Sequence, residues 1–393
     1  MSTPFEPGAP AAADVVPLSA PEIRGNEWQY VKECLDTNWV SSAGPFVERF
    51  ERLLADYVGR RRAVAAVNGT AALHVALRAA GVEADDEVLV SDLTFIAPVN
   101  AVRYLGAWPV FIDAEPEYWQ MDVRQVREFL EHECAWADGQ LRNRATGRRV
   151  RAILPVDILG HPVDMDPIVE LARKFALPVV EDATESLGAK YKGRSVGSLS
   201  DASCFSFNGN KIITTGGGGM VVTQNDAWAD KIKYWTTQAK DDPLEYIHCE
   251  IGYNYRLTNV LAAIGVAQME KLDEYVAAKR RIAGNYAAQL AGAAGIRAMP
   301  QAPWAESTFW MYTVLVDEAA YGMGSRKLLD KLEGAGIQAR PLWQPIHASP
   351  AYAAMQPADC PVAERLYRDA LSLPCSVGLS EAQLQRVVRA IGH

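Results

Sequence analysis

The chain has 393 residues, 49% of them hydrophobic and 22% charged, enough to bury a sizeable core; it is neither a disordered tail nor a disulfide-stapled miniature. Its 39 Lys and Arg stand against 48 Asp and Glu, a net charge of -9, which disfavours nucleic acid as the main partner and leaves any phosphate ligand to a local site. The six cysteines show no CxxC or paired zinc spacing, so reduced thiols and no structural metal are expected, and with neither a signal-peptide pattern nor a membrane-length apolar run the sequence reads as cytoplasmic.

In chain order, residues 1–20 are rich in Pro and Ala, carry no period, and read as a mobile arm. From Arg62 onward, short apolar runs bounded by turn residues alternate with segments of helical spacing. The runs are AVAAV at 63–67, EVLVS at 87–91, WPVFI, RAILPV at 151–156 and PVVE at 178–181; TAALHVALRAA, IAPVNAVRYL and a helix around Met165 to Phe175 lie between them. This βαβ rhythm predicts an α/β domain with a largely parallel sheet covered by helices, and ligands in such sheets sit at the carboxyl ends of strands. Residues 131–151 interrupt it with a polar stretch holding Arg142, Arg144, Arg148, Arg149 and Arg151, which reads as a solvated hairpin with a charged rim in preference to a diphosphate site. The run RLTNVLAAIGVAQMEKLDEYVAAKRRIAGNYAAQL predicts one long helix at a domain boundary. Beyond it, MYTVLVD and RKLLDKLEGAG predict a smaller α+β domain. The expected organisation is therefore an arm over 1–20, a large domain over 21–255, and a linking helix with a small domain over 256–393.

Four βα junctions carry candidate chemistry. In SCFSFNGNKIITTGGGGMVVT, Ser206 and Lys211 lie between a strand-like run and four glycines, so the lysine has room to swing, and lysine is the side chain that forms Schiff bases. Asp182 in VVEDATESLGA projects from a strand end, where a buried carboxylate needs a cation such as a pyridinium nitrogen or else caps the following turn. In VNGTAALHVAL, the strand followed by Gly69 and Thr70 forms an anion cup at a helix start; His74 in that helix reads as a packed core histidine. In SDLTFIAPVNAV, Phe95 follows Thr94 at the same sheet edge, where an aromatic covers a flat ring or packs in the core. Each junction alone has an ordinary structural reading. Their coincidence in one sheet is the argument for a site.

These segments, with GYNYRLTNVLAAIGVAQ, occur in the order found in the DegT/DnrJ/EryC1/StrS sugar aminotransferases, and the resemblance covers roughly residues 20–390. It implies a fold-type I enzyme dependent on pyridoxal 5'-phosphate (PLP), with pyridoxamine phosphate between half-reactions, that moves an amino group from L-glutamate to a nucleotide-linked keto sugar. By the same resemblance Lys211 is the Schiff-base lysine, Asp182 meets the pyridine nitrogen, Phe95 stacks on the ring, and Glu185 lies near the ring hydroxyl. Gly69, Thr70 and Ser206 hold the phosphate, Ala71 is a further cofactor-binding residue, and Asn254 reaches the phosphate in the neighbouring subunit of a homodimer. Gly217 and Asp157 stand where many members carry Glu and His. Those departures, with the NGNKIITTGGGG wording and the insert before RAILPVDILGHPVDMD, resemble the LegC-like subgroup, which aminates C4 of UDP-2-acetamido-2,6-dideoxy-hexos-4-ulose toward bacillosamine or legionaminic acid. A 3-keto or a dTDP- or GDP-linked sugar is the alternative. Dehydratases of this fold replace the lysine with His, and a Rossmann dehydrogenase would need a GxGxxG that VNGTAALH lacks. Substrate-facing residues are expected at Trp39, Thr94, Arg340, Trp343 and His347, the alternative being that Trp343 is buried core and His347 a turn residue.

Overall fold

The computed structural model describes residues 15–352, 355 and 359–392. Seven short strands carry the N-terminal two thirds: β1 (Arg62–Ala66), β2 (Glu87–Ser91), β3 (Trp108–Ile112), β4 (Val150–Leu154), β5 (Val180–Asp182), β6 (Ala202–Ser206) and β7 (Gly219–Thr223). Their lateral order is β3-β2-β4-β5-β6-β7-β1; isolated bridges from Ile153 to Val179 and from Val156 to Asp182 join the β4 and β5 edges. Only β7 runs antiparallel to its neighbours. The runs are apolar on both faces because helices cover both: Val88 and Val90 of β2 face one core, while Leu89 between them faces a second core with Ile153, Ile168 and Leu171.

Each crossover helix starts where its sequence says it should. Asn68 caps helix Gly69–Ala79 by accepting the Ala71 amide at 2.8 Å, and Pro98 stands in the first turn of helix Ala97–Tyr104. The arginine-rich insert forms a hairpin of Cys134–Ala137 and Gln140–Asn143. Arg149 pairs with Asp86 at 2.6 Å and Glu83 at 3.1 Å, and Arg148 lies 4.1 Å from the Trp108 ring centroid. These residues gather at the amino ends of β2 and β3, opposite the ligand edge, so the hairpin is a charged rim.

The C-terminal part forms an antiparallel sheet in the order Ile296–Ala298, Tyr312–Val316, Ala370–Leu373, Arg340–Pro341, backed by helices Ser325–Gly334 and Glu381–Gly392. Two expectations are corrected. The single long helix is two, Asn259–Met269 and Leu272–Leu290. The chain turns at Glu270, whose carboxylate accepts from Asn26 and Tyr30, each at 2.7 Å, which seats the first helix on Glu27–Asp36 and Pro45–Val58. Its small residues permit that approach, since a Cβ on Gly265 would fall 2.6 Å from the Phe50 ring.

The mobile arm is corrected in its last six residues. Val16 is buried and bridges Ile337, Leu18 accepts the Cys375 amide at 2.8 Å, and Ser19 Oγ donates to the Asn210 carbonyl at 3.2 Å. Residues 1–14 of that arm lie outside the described residues. No helix among the described residues is long and apolar enough to cross a membrane. All six cysteines are free, and only Cys249 is exposed.

Candidate active site

A cavity of about 370 Å³ opens at the carboxyl ends of the parallel strands. Asn68, Gly69 and Thr70 enter it after β1, Thr94 and Phe95 after β2, Asp182, Thr184 and Glu185 after β5, and Ser206, Asn208, Asn210 and Lys211 after β6. Trp310 and Trp343 close it from the C-terminal part. Every strand-end residue singled out in the sequence for an anion, an aromatic face, an acid or an amine, except Ala71, lines this one cavity.

Local folding explains each position. Gly69 opens its helix beside β6, and a Cβ there would lie 2.9 Å from Ser206 Cβ and 3.2 Å from Thr184 Cγ2, so only glycine lets the backbone amide sit this close to the Ser206 hydroxyl. The Gly69 and Thr70 amides precede the helix's own bonding and are available to an anion. Ala71 is corrected: Asn68 takes its amide, and it is buried away from the cavity.

Asp182 is 2% exposed and accepts the Thr184 amide at 3.0 Å. Burial pushes its carboxyl up, against the opposing pull of the Thr184 hydrogen bonds and of the Lys211 charge. Glu185 accepts the Leu159 amide at 2.8 Å on one oxygen, and its other oxygen lies 3.7 Å from Lys211 Nζ. Burial pushes Glu185 up to about 7 despite Lys211. Burial likewise lowers the Lys211 ammonium, opposed by Glu185 and Asp182. A lysine depressed in this way sheds its proton more readily, which suits a nucleophile and a proton carrier.

Trp310 was not legible in the sequence. Lys211 Nζ stands 4.1 Å from its ring centroid, and the indole N–H donates to the Asn210 carbonyl at 2.7 Å, so the lysine rests on an anchored aromatic face. Asn208 and Asn210 were missed as well, although both flank Lys211 in NGNK.

The remaining expectations divide. Thr94 and Trp343 line the cavity, and Phe95, 55% exposed, presents a free aromatic surface to it. Arg340 is corrected: it bonds Glu333 at 3.0 Å and lines no part of the cavity. His347 is corrected too, because its ring Nδ1 bonds the buried Asp92 carboxylate at 2.7 Å and its amide donates to the same group at 2.9 Å. Trp39 is half exposed and lies outside this chain's cavity, its carbonyl accepting from Asn259 at 2.8 Å. Asn254 is exposed, also outside this chain's cavity. His74 packs among Tyr104, Tyr253 and Tyr255, and burial lowers it to about 4, so it is the neutral core histidine expected.

The cavity fits PLP. It offers free amides and a hydroxyl for a phosphate, an aromatic face for a flat ring, a buried carboxylate with acceptor capacity left for a ring N–H, and an amine for covalent attachment.

Comparison with known proteins agrees. The model of the DegT/DnrJ/EryC1/StrS aminotransferase family matches residues 21–392. A GDP-perosamine synthase of Caulobacter vibrioides is 42% identical over 377 residues, 96% of this chain and 97% of that protein. A GDP-perosamine synthase of Escherichia coli O157:H7 is 38% identical over 379 residues, 96% of this chain and 98% of that protein. Among solved structures, DesV of S. venezuelae superposes with a TM-score of 0.84 at 32% identity, covering 93% of each chain.

Proposed function

The chain belongs to the DegT/DnrJ/EryC1/StrS aminotransferase family and is a PLP-dependent sugar aminotransferase of nucleotide-sugar biosynthesis; on that premise we propose that it carries an amino group from L-glutamate to the C4 ketone of a nucleotide-linked 4-keto hexose. The observation that carries this reading is the meeting of Lys211, Asp182, Phe95 and the Gly69–Thr70 amides in one cavity.

PLP, when bound, supplies an electron sink that makes a proton on the adjacent amino carbon removable. Lys211 would anchor the cofactor, and its amine, whose pKa burial lowers, would serve as the base for that proton. Asp182, buried at the strand end, would face the ring nitrogen and keep it protonated. The Gly69 and Thr70 amides and the Ser206 hydroxyl would hold the phosphate, Phe95 would cover the ring, and Glu185 would lie toward the ring hydroxyl. Trp343 and Thr94 face the sugar. Asn254 serves the cavity of a second copy in a homodimer; its position outside its own chain's cavity, in a stretch of chain that also exposes Leu244, Tyr246 and Ile251, supports that role.

For the sugar, the GDP-perosamine synthases at 42% and 38% identity favour a GDP-linked substrate. The second reading is UDP-2-acetamido-2,6-dideoxy-hexos-4-ulose, favoured by Asp157, the NGNKIITTGGGG run and the insert. The test has two arms. Borohydride should bleach the yellow holoenzyme and leave the reduced cofactor covalently attached to the Lys211 peptide. Enzyme loaded with the amino group should then be mixed in single turnover with GDP- and UDP-linked 4-keto sugars. Label on any other peptide overturns the Lys211 assignment, and faster amination of the UDP sugar overturns the GDP reading.

A further inference from the structure

Away from the cavity, three residues from separate segments converge. Asp92 follows β2 and is fully buried, Cys360 is 1% exposed and directly precedes helix Pro361–Asp369, and His347 lies in the short turn after Trp343. One donor atom from each lies within 4.8 Å of the other two. The charges near them are lopsided. Asp92 and the neighbouring buried Asp113 bond no lysine or arginine among the described residues; Asp113 accepts the Val362 and Ala363 amides, and Asp92 accepts from His347. Glu364 lies 3.3 Å from His347 Nε2, so if Nδ1 took a metal the other ring nitrogen would already have its carboxylate partner.

We propose that Asp92, His347 and Cys360 form a binding site for one divalent zinc-class cation, a clasp between the two parts of the chain. A thiolate, an imidazole and a carboxylate together are the donor set that zinc prefers. The three donor atoms, all within 4.8 Å of one another, would have to settle to tetrahedral ligand spacings. A tetrahedral zinc at ordinary bond lengths holds its N and O ligands about 3.3 Å apart, so the 2.7 Å contact between His347 Nδ1 and Asp92 would open by roughly half an ångström. The cation would replace the proton now shared there. Zinc sites are sought in sequence by short ligand spacings, whereas these ligands are 255 and 13 positions apart, which is why none was expected.

The role is structural. None of the three residues lines the cavity, yet Asp92 precedes Thr94 and Phe95 by two and three positions and His347 follows Trp343 by four, so a cation would fix both walls at once.

The experiment is a cobalt titration of chelator-stripped holoenzyme, followed by displacement with zinc. Expected are one equivalent of cobalt, thiolate-to-cobalt charge-transfer absorption, and a melting temperature that rises with zinc concentration. Cys360→Ser should remove the absorption while Cys249→Ser, at the exposed thiol, should keep it. Glu364→Gln should weaken binding about tenfold or more. Absence of the absorption in wild type at stoichiometric cobalt overturns the site and leaves a hydrogen-bonded triad. Its persistence in Cys360→Ser, or its loss in Cys249→Ser, overturns the assignment as well. Because the wild-type titration alone can refute the proposal, a variant that fails to fold does not shelter it.

Discussion

Glu185→Gln in the cofactor-free protein isolates one buried titration. Glu185 is 5% exposed and keeps its proton to about 7, whereas the unfolded chain releases it near 4.5. Between those values the native state binds more protons than the unfolded state, so Glu185 makes stability fall as pH rises through the window and contributes no further slope above it. Fully developed, the shift corresponds to roughly 3 kcal/mol. The amide preserves the carbonyl oxygen that accepts the Leu159 amide at 2.8 Å, so packing stays and only the proton is lost. Urea unfolding at intervals from pH 4.5 to 8 gives the stability of each protein. Wild type minus variant should fall with rising pH by up to about 3 kcal/mol and level off near 7. Parallel profiles would refute the reasoning, because other raised carboxyls such as Asp157 and Asp182 are common to both proteins and cancel.

Asp182→Asn should retain much of the cofactor yet slow the single-turnover reaction with glutamate by about two orders of magnitude or more; an unchanged rate would reduce Asp182 to the partner of Thr184. Mixed dimers of Lys211→Ala and Asn254→Ala chains should regain activity, since one cavity then carries both lesions and the other neither. No recovery after confirmed subunit exchange would assign Asn254 to its own chain. Trp343→Ala should weaken use of the nucleotide sugar and spare the glutamate half-reaction, and equal damage to both would remove Trp343 from the sugar wall. His347→Ala should instead lower stability by about 3 kcal/mol, because it strips the buried Asp92 of its charged partner; a stability within experimental error of wild type would contradict that pairing.

The same short segment shows what a sequence can and cannot reveal. Arg340, Trp343 and His347 stand within a few positions, and proximity suggested one substrate wall. The chain leaves the sheet after Pro341, so Arg340 meets Glu333 on the outer side, Trp343 turns into the cavity, and His347 finds a carboxylate 255 positions earlier. Nothing local records that pairing. The cofactor wall is the opposite case. A parallel strand delivers its next few residues to one edge, so Gly69, Phe95, Asp182 and Lys211 could be placed together from their strand ends alone. Trp310 escaped because it reaches Lys211 from the antiparallel sheet, 99 positions along the chain, and in FWMYTV it looks like any core aromatic. Legibility thus follows topology: the cavity residues at βα junctions ride on one repeating unit, whereas those contributed by the C-terminal part depend on how two sheets dock. A substitution series confined to βα junctions will therefore map the cofactor site, but substrate choice has to be sought across the contact that Asp92 makes with His347.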